Sequence, residues 1–334
     1  PVDKKSPRGT GEDILEKINI PLTRILLEYR RLQKLMSTYI TKLPASLNPR
    51  TGRLHASFNQ VGTDTGRFSS ADPNMQNIPA RNKDIRQMFV ASPGYCLLSS
   101  DYSQQEPRLT AHMSRDEKMI NAYKQGKDLY AEIASIAFNQ PYENCLEYVN
   151  GVYSEEGYRR RQTSKAIVLG VCYGKGVPAI AEDLGITRQE AQKVYDEIMF
   201  HFPGLKQFMI ESQNMARELG YVDTVWGRKR RLPNMQLEPY EFSYSGKVPT
   251  NFDPLAFDQE VSNEVPEGIK RKYSAMLDRA SWSEKQRIIA QARNEGIIIK
   301  DNSGYIAEAT RQCVNSRIQG SAADMTKKAM LLVG

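Results

Sequence analysis

One stretch of the sequence places cations and an aromatic residue at a helical repeat. Arg161, Lys165, Leu169 and Tyr173 follow one another at four-residue intervals within residues 158–174. On a helix they would form one stripe of about 18 Å, since each residue rises by about 1.5 Å. A nucleoside triphosphate laid along this stripe would place its phosphates on the cations and its base near the other end. An amphipathic helix with solvent-facing cations has the same spacing.

Two glycines in the same stretch favour the ligand-binding interpretation. Gly170 and Gly174 interrupt an otherwise helical pattern. Each costs about 1 kcal/mol of helix stability relative to alanine. Glycine at such positions is typical of a place that another group must approach closely.

A carboxylate follows a short apolar run. Residues 95–101 read Tyr-Cys-Leu-Leu-Ser-Ser-Asp, which is typical of a buried strand that carries Asp101 to the edge of a sheet. A single Asp after a strand is more often a turn or a helix cap than a catalytic group. The local pattern therefore leaves both interpretations open.

The elements that must position these residues are mostly helical. Apolar residues at three- and four-residue steps predict two helices in residues 12–43, separated at Pro21. Residues 47–79 are rich in Gly, Ser, Asn and Pro, which predicts loops and hairpins with a strand near 54–58. The fold class is therefore α+β, with more helix than strand. Further helical periodicity covers residues 116–220, 269–296 and 307–333.

Residues 232–268 break the helical pattern. They contain five prolines and seven acidic residues against one lysine. This composition predicts an irregular excursion before a basic helical segment.

Composition indicates a folded protein. The 334 residues are 40% apolar and 25% charged, which excludes a disordered tail, a fibre and a disulfide-stapled miniprotein. The length allows roughly two domains, at about 150 residues each. Four cysteines lie far apart, which predicts buried free thiols rather than zinc ligands or disulfides.

No apolar run approaches the roughly 20 residues of a membrane span, and no signal region follows the start, so a cytoplasmic setting is expected.

The charge balance makes a polyanionic partner plausible. Lys and Arg exceed Asp and Glu by 46 to 39, which gives a net charge of +7. The basic residues are concentrated at 159–161 and 228–231. A solvated basic face is the alternative interpretation of each cluster.

Several motifs together resemble a known family. Residues 101–108, Asp-Tyr-Ser-Gln-Gln-Glu-Pro-Arg, closely resemble the first catalytic palm motif of family A (DNA polymerase I-like) DNA polymerases. The Arg161-x3-Lys165-x7-Tyr173-Gly174 pattern resembles their fingers motif. Five collinear motifs identify the chain as a member of this family by resemblance. The other three are residues 65–70 with 73–79, residues 227–231 and residues 319–324.

The resemblance implies a right-hand polymerase with a mixed palm sheet and helical fingers, and a thumb that is only partly present. Residues 1–50 correspond to thumb-like helices and 51–115 to the palm with its first catalytic motif. Residues 116–303 correspond to the fingers, with an insertion at about 232–302, and 304–334 to a palm helix. The resemblance also leads us to expect a phage-type member of this family.

The implied activity is template-directed DNA synthesis, in which deoxynucleotides are transferred to a primer 3′ end by a two-metal mechanism. Asp101 and the Tyr102 carbonyl would bind two Mg²⁺ ions, and Glu106 would exclude a ribonucleotide 2′-hydroxyl. Asp101, Lys165 and Arg161 would be catalytic. The dNTP would be bound by Arg161, Lys165, Leu169, Tyr173, Glu106 and Gln104. Leu169 replaces the usual Phe or Tyr, which predicts altered discrimination at the sugar 3′ position.

The resemblance also implies contacts with primer–template DNA, mostly in its minor groove. Polar donors suit this groove because every base pair presents acceptors there. The residues concerned are Arg67, Asn74, Gln76, Asn77, Arg108, Arg228, Arg311, Asn315 and Gln319.

One family motif has no counterpart in the sequence. The family carries a second palm motif with a His-Asp pair, whose Asp completes the metal site. His55, His112 and His201 are the histidines of this chain, and none precedes an Asp. We therefore expect this polypeptide alone to extend primers poorly or not at all. A missing C-terminal segment or a second polypeptide with the His-Asp motif would supply the rest.

Two other functions compete with this one. A non-catalytic DNA-binding subunit of a split replication enzyme would keep the basic clusters but not Asp101, Glu106 and the Arg161/Lys165 stripe. A single-subunit RNA polymerase is disfavoured by Glu106 and by the motif at 65–79. The expected partners are primer–template DNA, dNTPs and a possible second polypeptide, with no membrane. The expected setting is the cytoplasm of a bacterial or phage-infected host cell.

Overall fold

The computed structural model describes residues 10–18, 20–79, 82–172, 174–244 and 264–333. Within helices and strands, nothing is stated of the side chains of Asp13, Leu169 and Cys172. The chain forms two compact units, Pro1–Ser103 and Gln104–Gly334. Each unit is described by itself.

The first unit combines helices with one hairpin. The two helices predicted in residues 12–43 are confirmed, and Pro21 begins the second one. Proline is tolerated at the first position of a helix, because an N–H group there would have no acceptor within the helix. Tyr39, Leu43 and Ile85 form a small core, and the Tyr39 hydroxyl donates a hydrogen bond to the Asn77 carbonyl. The helices are α1 (Glu12–Ile18), α2 (Pro21–Leu35), α3 (Lys42–Ala45) and α4 (Lys83–Gln87), with a π-helical turn at Met36–Thr41.

The Gly- and Pro-rich stretch forms the predicted hairpin. Strands β1 (Ser57–Asn59) and β2 (Ser69–Ala71) pair antiparallel, with Phe58 opposite Ser70. The strand begins three residues later than the alternating pattern at 54–58 indicated. A 3₁₀ turn at Met75–Asn77 follows the hairpin.

The prediction of a buried strand at 95–101 is wrong for the described chain. These residues are not in a strand, and Leu98 is 87% exposed. An extended segment becomes a strand only when a neighbour takes up its backbone hydrogen bonds, and no described segment pairs with this one. Cys96, in the same run, is exposed, whereas Cys145 and Cys313 are buried free thiols as predicted.

The second unit is mainly helical, as the periodicity predicted. Its largest core gathers buried residues such as Leu129, Ile167, Ile198 and Phe202. The helices up to residue 220 are α5 (Gln105–Ser114), α6 (Glu117–Lys124), α7 (Leu129–Phe138), α8 (Glu155–Cys172), α9 (Val177–Leu184), α10 (Arg188–His201) and α11 (Pro203–Leu219). Two short hairpins are formed by β3 (Tyr148–Val149) with β4 (Val152–Tyr153), and by β5 (Tyr221–Asp223) with β6 (Lys229–Arg231).

The predicted irregular excursion contains a strand. Strand β7 (Tyr240–Tyr244) pairs antiparallel with β8 (Ile297–Asp301), although these strands are far apart in the sequence. Residues 245–263 of the excursion lie outside the described residues. The basic helical segment forms two helices, α12 (Glu267–Arg279) and α13 (Trp282–Asn294). The final helix is α14 (Ser303–Val333), as predicted.

The described sheets are all two-stranded, so helix outweighs strand. None of the described helices has the length and apolar character needed to cross a membrane.

Candidate functional site

Helix α8 carries both predicted phosphate-binding cations. Its Ile167, Val168 and Val171 are buried in the main core of the second unit, which fixes the helix by one face. Lys165 is exposed and makes no ion pair or hydrogen bond with another described residue. Its ammonium group is therefore accessible to an anion, and its role in phosphate binding stays a prediction.

Arg161, one turn earlier, is held by carboxylates. Its Nε and Nη2 lie 2.8 Å and 2.7 Å from Oδ2 of Asp128, and Nη1 lies 4.0 Å from Glu147. The guanidinium also lies 5.6 Å from the centre of the Tyr130 ring. A phosphate at Arg161 would therefore share the guanidinium with these groups or replace them.

Sequence reasoning missed Asp128. The other oxygen of its carboxylate, Oδ1, accepts hydrogen bonds from the Tyr130 and Ala131 N–H groups and so caps α7. The backbone N–H of Asp128 donates to the Tyr142 hydroxyl at 2.9 Å. An Asp directly before an apolar helical run is a cap signal. The signal predicts that Asp128 caps a helix, but it does not predict the ion pair with Arg161.

The two glycines near the end of α8 are approached by protein groups. Gly174 has φ of +76°, and a Cβ there would lie 2.6 to 2.7 Å from Arg311 atoms. A Cβ at Gly170 would lie 2.6 Å from the Lys175 side chain. The close approach predicted from the sequence is therefore made by α14 and by a neighbouring lysine. Tyr173 and the side chain of Leu169 lie outside what the structure describes.

Residues 101–108, which resemble the first catalytic palm motif, are divided between the two units. Asp101 and Tyr102 are exposed in the first unit, while Gln104 and Glu106 lie at the start of α5 in the second. Gln104 has φ of +53°, and its Oε1 accepts a hydrogen bond from the Tyr123 hydroxyl at 3.1 Å.

The described residues form no group of three or more His, Cys, Asp or Glu side chains that could hold a metal ion. Mg²⁺ is usually bound by one or two carboxylates together with substrate phosphates and water. Asp101 and the Tyr102 carbonyl, the ligands predicted from the sequence, would therefore form no more than one part of such a site.

The DNA-binding candidates of the first unit follow the β1–β2 hairpin. Asn74 caps the turn after it through the Gln76 N–H, and Gln76 Nε2 donates to the Phe68 carbonyl at 3.0 Å. Arg67 and Asn77 are exposed beside them. These side chains stabilise an ordered turn and still reach solvent.

Three other candidates lie along α14. Arg311, Asn315 and Gln319 are spaced by four residues, so they lie on one face of the helix. Arg311 is exposed and Gln319 is half-buried. Asn315 Oδ1 is buried without a hydrogen-bond partner in the described chain.

Arg228 is engaged within the protein. Its Nε lies 2.7 Å from Oδ1 of Asp324, and its Nη2 donates to the Gly320 carbonyl at 3.1 Å. The Thr224 hydroxyl donates to Oδ2 of the same carboxylate at 2.7 Å. These bonds fasten the β5–β6 hairpin to α14. Arg108 is exposed and lies 4.5 Å from the centre of the Tyr123 ring.

Comparison with known proteins agrees with the motifs. Residues 2–247 match the family model described as DNA polymerase family A. DNA polymerase I of Pseudomonas aeruginosa is 34% identical over 311 residues, covering 89% of this chain and 32% of that protein. Thermostable DNA polymerase I of Thermus aquaticus is 38% identical over 239 residues, covering 70% of this chain and 27% of that protein.

A solved structure is also similar. It is the POL domain of Pol1 from M. smegmatis in complex with DNA primer-template and dNTP, with a TM-score of 0.67 and 29% identity. The match covers 98% of this chain and 46% of that chain. The chain thus spans about a third or less of the curated relatives named above. The family model matches well over half of its residues, and the chain belongs to DNA polymerase family A.

Proposed function

We propose that this chain carries the nucleotide-binding and primer–template-binding part of a template-directed DNA polymerase. The observation that supports this most directly is the exposed Lys165, without a described partner, one turn from Arg161 on a helix anchored in the core. Family membership supports DNA synthesis in general. The reaction that we propose is the transfer of a deoxynucleotide to a primer 3′ end. The relatives are named DNA polymerase I, and the similar structure is a complex with DNA primer-template and dNTP.

The triphosphate would bind along α8. Lys165 would donate to a phosphate, and Arg161 would contribute donors while it remains beside Asp128. Charge neutralisation of this kind favours both substrate binding and the negative charge that develops as pyrophosphate leaves. Leu169 and Tyr173 would contact the base and sugar, and Glu106 and Gln104 would complete the nucleotide site.

Polar side chains in each unit would contact primer–template DNA. In the second unit, Arg311, Asn315 and Gln319 on α14 would face the minor groove. In the first unit, the candidates for minor-groove contacts are Arg67, Asn74, Gln76 and Asn77. Such donors test the shape of a base pair without reading its sequence, because acceptors occur there in every pair. Arg108 would contact the backbone, and Arg228 would act mainly by holding its hairpin in place.

The proposed organisation follows the family. Residues 1–50 are thumb-like helices, 51–115 belong to the palm, 116–303 to the fingers with an insertion at about 232–302, and 304–334 to a palm helix. The setting is the cytoplasm of a bacterial or phage-infected cell, where such an enzyme would meet DNA.

Catalysis would need a second carboxylate. Asp101 and the Tyr102 carbonyl would contribute to binding two Mg²⁺ ions, which neutralise the charge of the reacting phosphates. None of His55, His112 and His201 precedes an Asp, so we propose that a second polypeptide or further chain supplies the remaining ligand. The same segment would pair with residues 95–101, whose backbone has no described strand partner.

A primer-extension assay tests this proposal. The 334-residue chain alone should bind primer–template and extend it poorly. Addition of a polypeptide that carries the family's His-Asp hairpin should restore extension, and Asp101→Ala should abolish the restored activity. Robust extension by the chain alone would contradict the requirement for a second carboxylate. Restored activity that survives Asp101→Ala would contradict the assigned site.

A further inference from the structure

The segment made of β7, α12, α13 and β8, here called the inserted module, folds around a core of its own. Its buried side chains, including Tyr240, Tyr273, Leu277 and Ile297, form a cluster separate from the core around α8. Along β8, buried Ile297 and Ile299 alternate with exposed Ile298, so one face of the hairpin packs on the helices. The module is therefore a folded unit with its own hydrophobic core rather than a long loop.

The acidic side chains of the module are largely engaged within it. Each of four carboxylates accepts a hydrogen bond from a residue of the same module, and one of these bonds is also an ion pair. These pairs are Asp278 with Tyr240 at 3.2 Å, Glu295 with Tyr273 at 2.6 Å, Glu267 with Lys270 at 2.8 Å, and Glu284 with the Ser281 N–H at 2.7 Å. These carboxylates are thus tied to the fold.

Two arginines of the module are not tied in this way. Arg279 ends α12, Arg287 lies in the middle of α13, and both are exposed. Neither forms an ion pair or hydrogen bond with another described residue. The positive charge of Arg287 lowers the pKa of Glu284, but the largest effect on that carboxyl is its hydrogen bonds with Ser281. The arginines therefore keep donors for an external anion.

Both arginines line one groove between the two helices. It has a volume of about 410 Å³ and is lined by Met276, Arg279, Ala280, Glu284, Arg287 and Ile288. Trp282, the first residue of α13, lies in the sequence between the lining residues Ala280 and Glu284, and 78% of its surface is exposed. The groove thus combines two cations, one carboxylate and an apolar floor, and an exposed tryptophan stands in the connection between its two helices.

We propose that this groove binds single-stranded DNA. Proteins that bind single strands combine cations that follow the phosphates with aromatic rings on which bases stack. Arg279 and Arg287 provide the cations, and Trp282 provides a ring that a duplex, with its bases already stacked, cannot use. This function goes beyond the proposed polymerase activity because it requires no catalysis.

Fluorescence anisotropy with the whole chain and a labelled oligothymidylate tests the proposal. We expect Trp282→Ala to weaken binding at least about fivefold, and Trp282→Phe to restore most of it. Arg279→Gln combined with Arg287→Gln should reduce the dependence of log K on log salt by about 1.4, since each phosphate contact contributes about 0.7. Arg293→Gln, on α13 outside the groove, should have a smaller effect. Unfolding midpoints will identify any variant that is misfolded.

Cross-linking locates the strand. An oligonucleotide that contains 5-iododeoxyuridine should cross-link to a peptide with Trp282, and the variants should weaken single-strand binding more than duplex binding. Groove variants that bind like wild type, equal losses for duplex DNA, or cross-links confined to other segments would overturn the proposal. Competition by an acidic peptide without any effect of the groove variants on DNA would assign the groove to a protein partner instead. None of these results depends on primer extension, so they are separable from the polymerase proposal.

Discussion

Asp128 uses its two carboxylate oxygens for two different tasks, and one of them holds Arg161. Oδ2 lies 2.8 Å and 2.7 Å from Nε and Nη2 of that guanidinium, while Oδ1 caps α7. The side chains of Arg161 and Asp128 are only 18% and 21% exposed, so water screens their attraction less than at an open surface. One residue thereby links the start of α7 to the cationic stripe of α8.

Substitutions at Asp128 should separate these two tasks. Asp128→Asn keeps an oxygen for the cap and loses the ion pair, which should lower the free energy of unfolding by about 1 kcal/mol. Asp128→Ala also loses the cap and should cost about 1 kcal/mol more. Urea denaturation measures both. Equal stability of the two variants would show that the cap contributes nothing.

Gly174→Ala should be more destabilising than an ordinary glycine replacement. A Cβ at this position meets Arg311 backbone and side-chain atoms at 2.6 to 2.7 Å, in addition to the positive φ. Gly185→Ala is a matched control, because its φ is +65° and a Cβ there has nothing within 4 Å. We expect about 1 kcal/mol for the control and about 1–3 kcal/mol more for Gly174→Ala. Similar losses of thermal or urea stability in both would contradict the close packing of α14 on this glycine.

Arg228 and Asp324 should show strong energetic coupling. A double-mutant cycle with Arg228→Ala and Asp324→Ala should give a coupling energy of about 1–3 kcal/mol, since charge-assisted bonds join two elements. The pair formed by Lys300 and Glu241 is the control, because it is more exposed at 60% and 44%. Its coupling should be clearly smaller. Equal coupling in the two pairs would mean that the Arg228 bonds do not stabilise the hairpin.

His201 should make the protein less stable in mild acid. Burial lowers the pKa of its imidazole below the ordinary value of about 6.5, and Lys118 lowers it further, while Glu132 and Asp116 act in the opposite direction. The unfolded state therefore takes up the proton more readily, so the free energy of unfolding falls as pH drops through about 6.5. His201→Gln should remove part of this fall. An unchanged pH profile in His201→Gln would contradict the burial effect.

The helices of this chain could be predicted because their apolar residues repeat with the helical period. Pro21 and the run before Gly174 located α2 and α8. The apolar residues Ile167, Val168 and Val171 of α8 face the core, whereas Leu22, Ile25 and Tyr29 of α2 are exposed. The placement of Arg161 and Lys165 on one helix was also predictable, since the two residues follow the same period. Helical periodicity and local motifs thus predict most of the helix positions.

Contacts between distant segments could not be predicted in the same way. Residues 95–101 have the apolar pattern of a strand, but pairing depends on a neighbour that local sequence does not specify. Strand β7 was missed because its partner β8 begins more than fifty residues later. The partner of Arg161 lies on another helix, so spacing within α8 gave no information about Asp128.

We propose that α8 binds the incoming nucleotide opposite a template base. The release rate of labelled DNA can be measured from a complex of the chain with a dideoxy-terminated primer–template, with each dNTP in turn. We expect that only the dNTP that matches the template slows release. Lys165→Ala should remove this effect, and Arg159→Ala, at an exposed residue of the same helix, should retain it. Equal release with all four dNTPs, or an unchanged effect in Lys165→Ala, would contradict it.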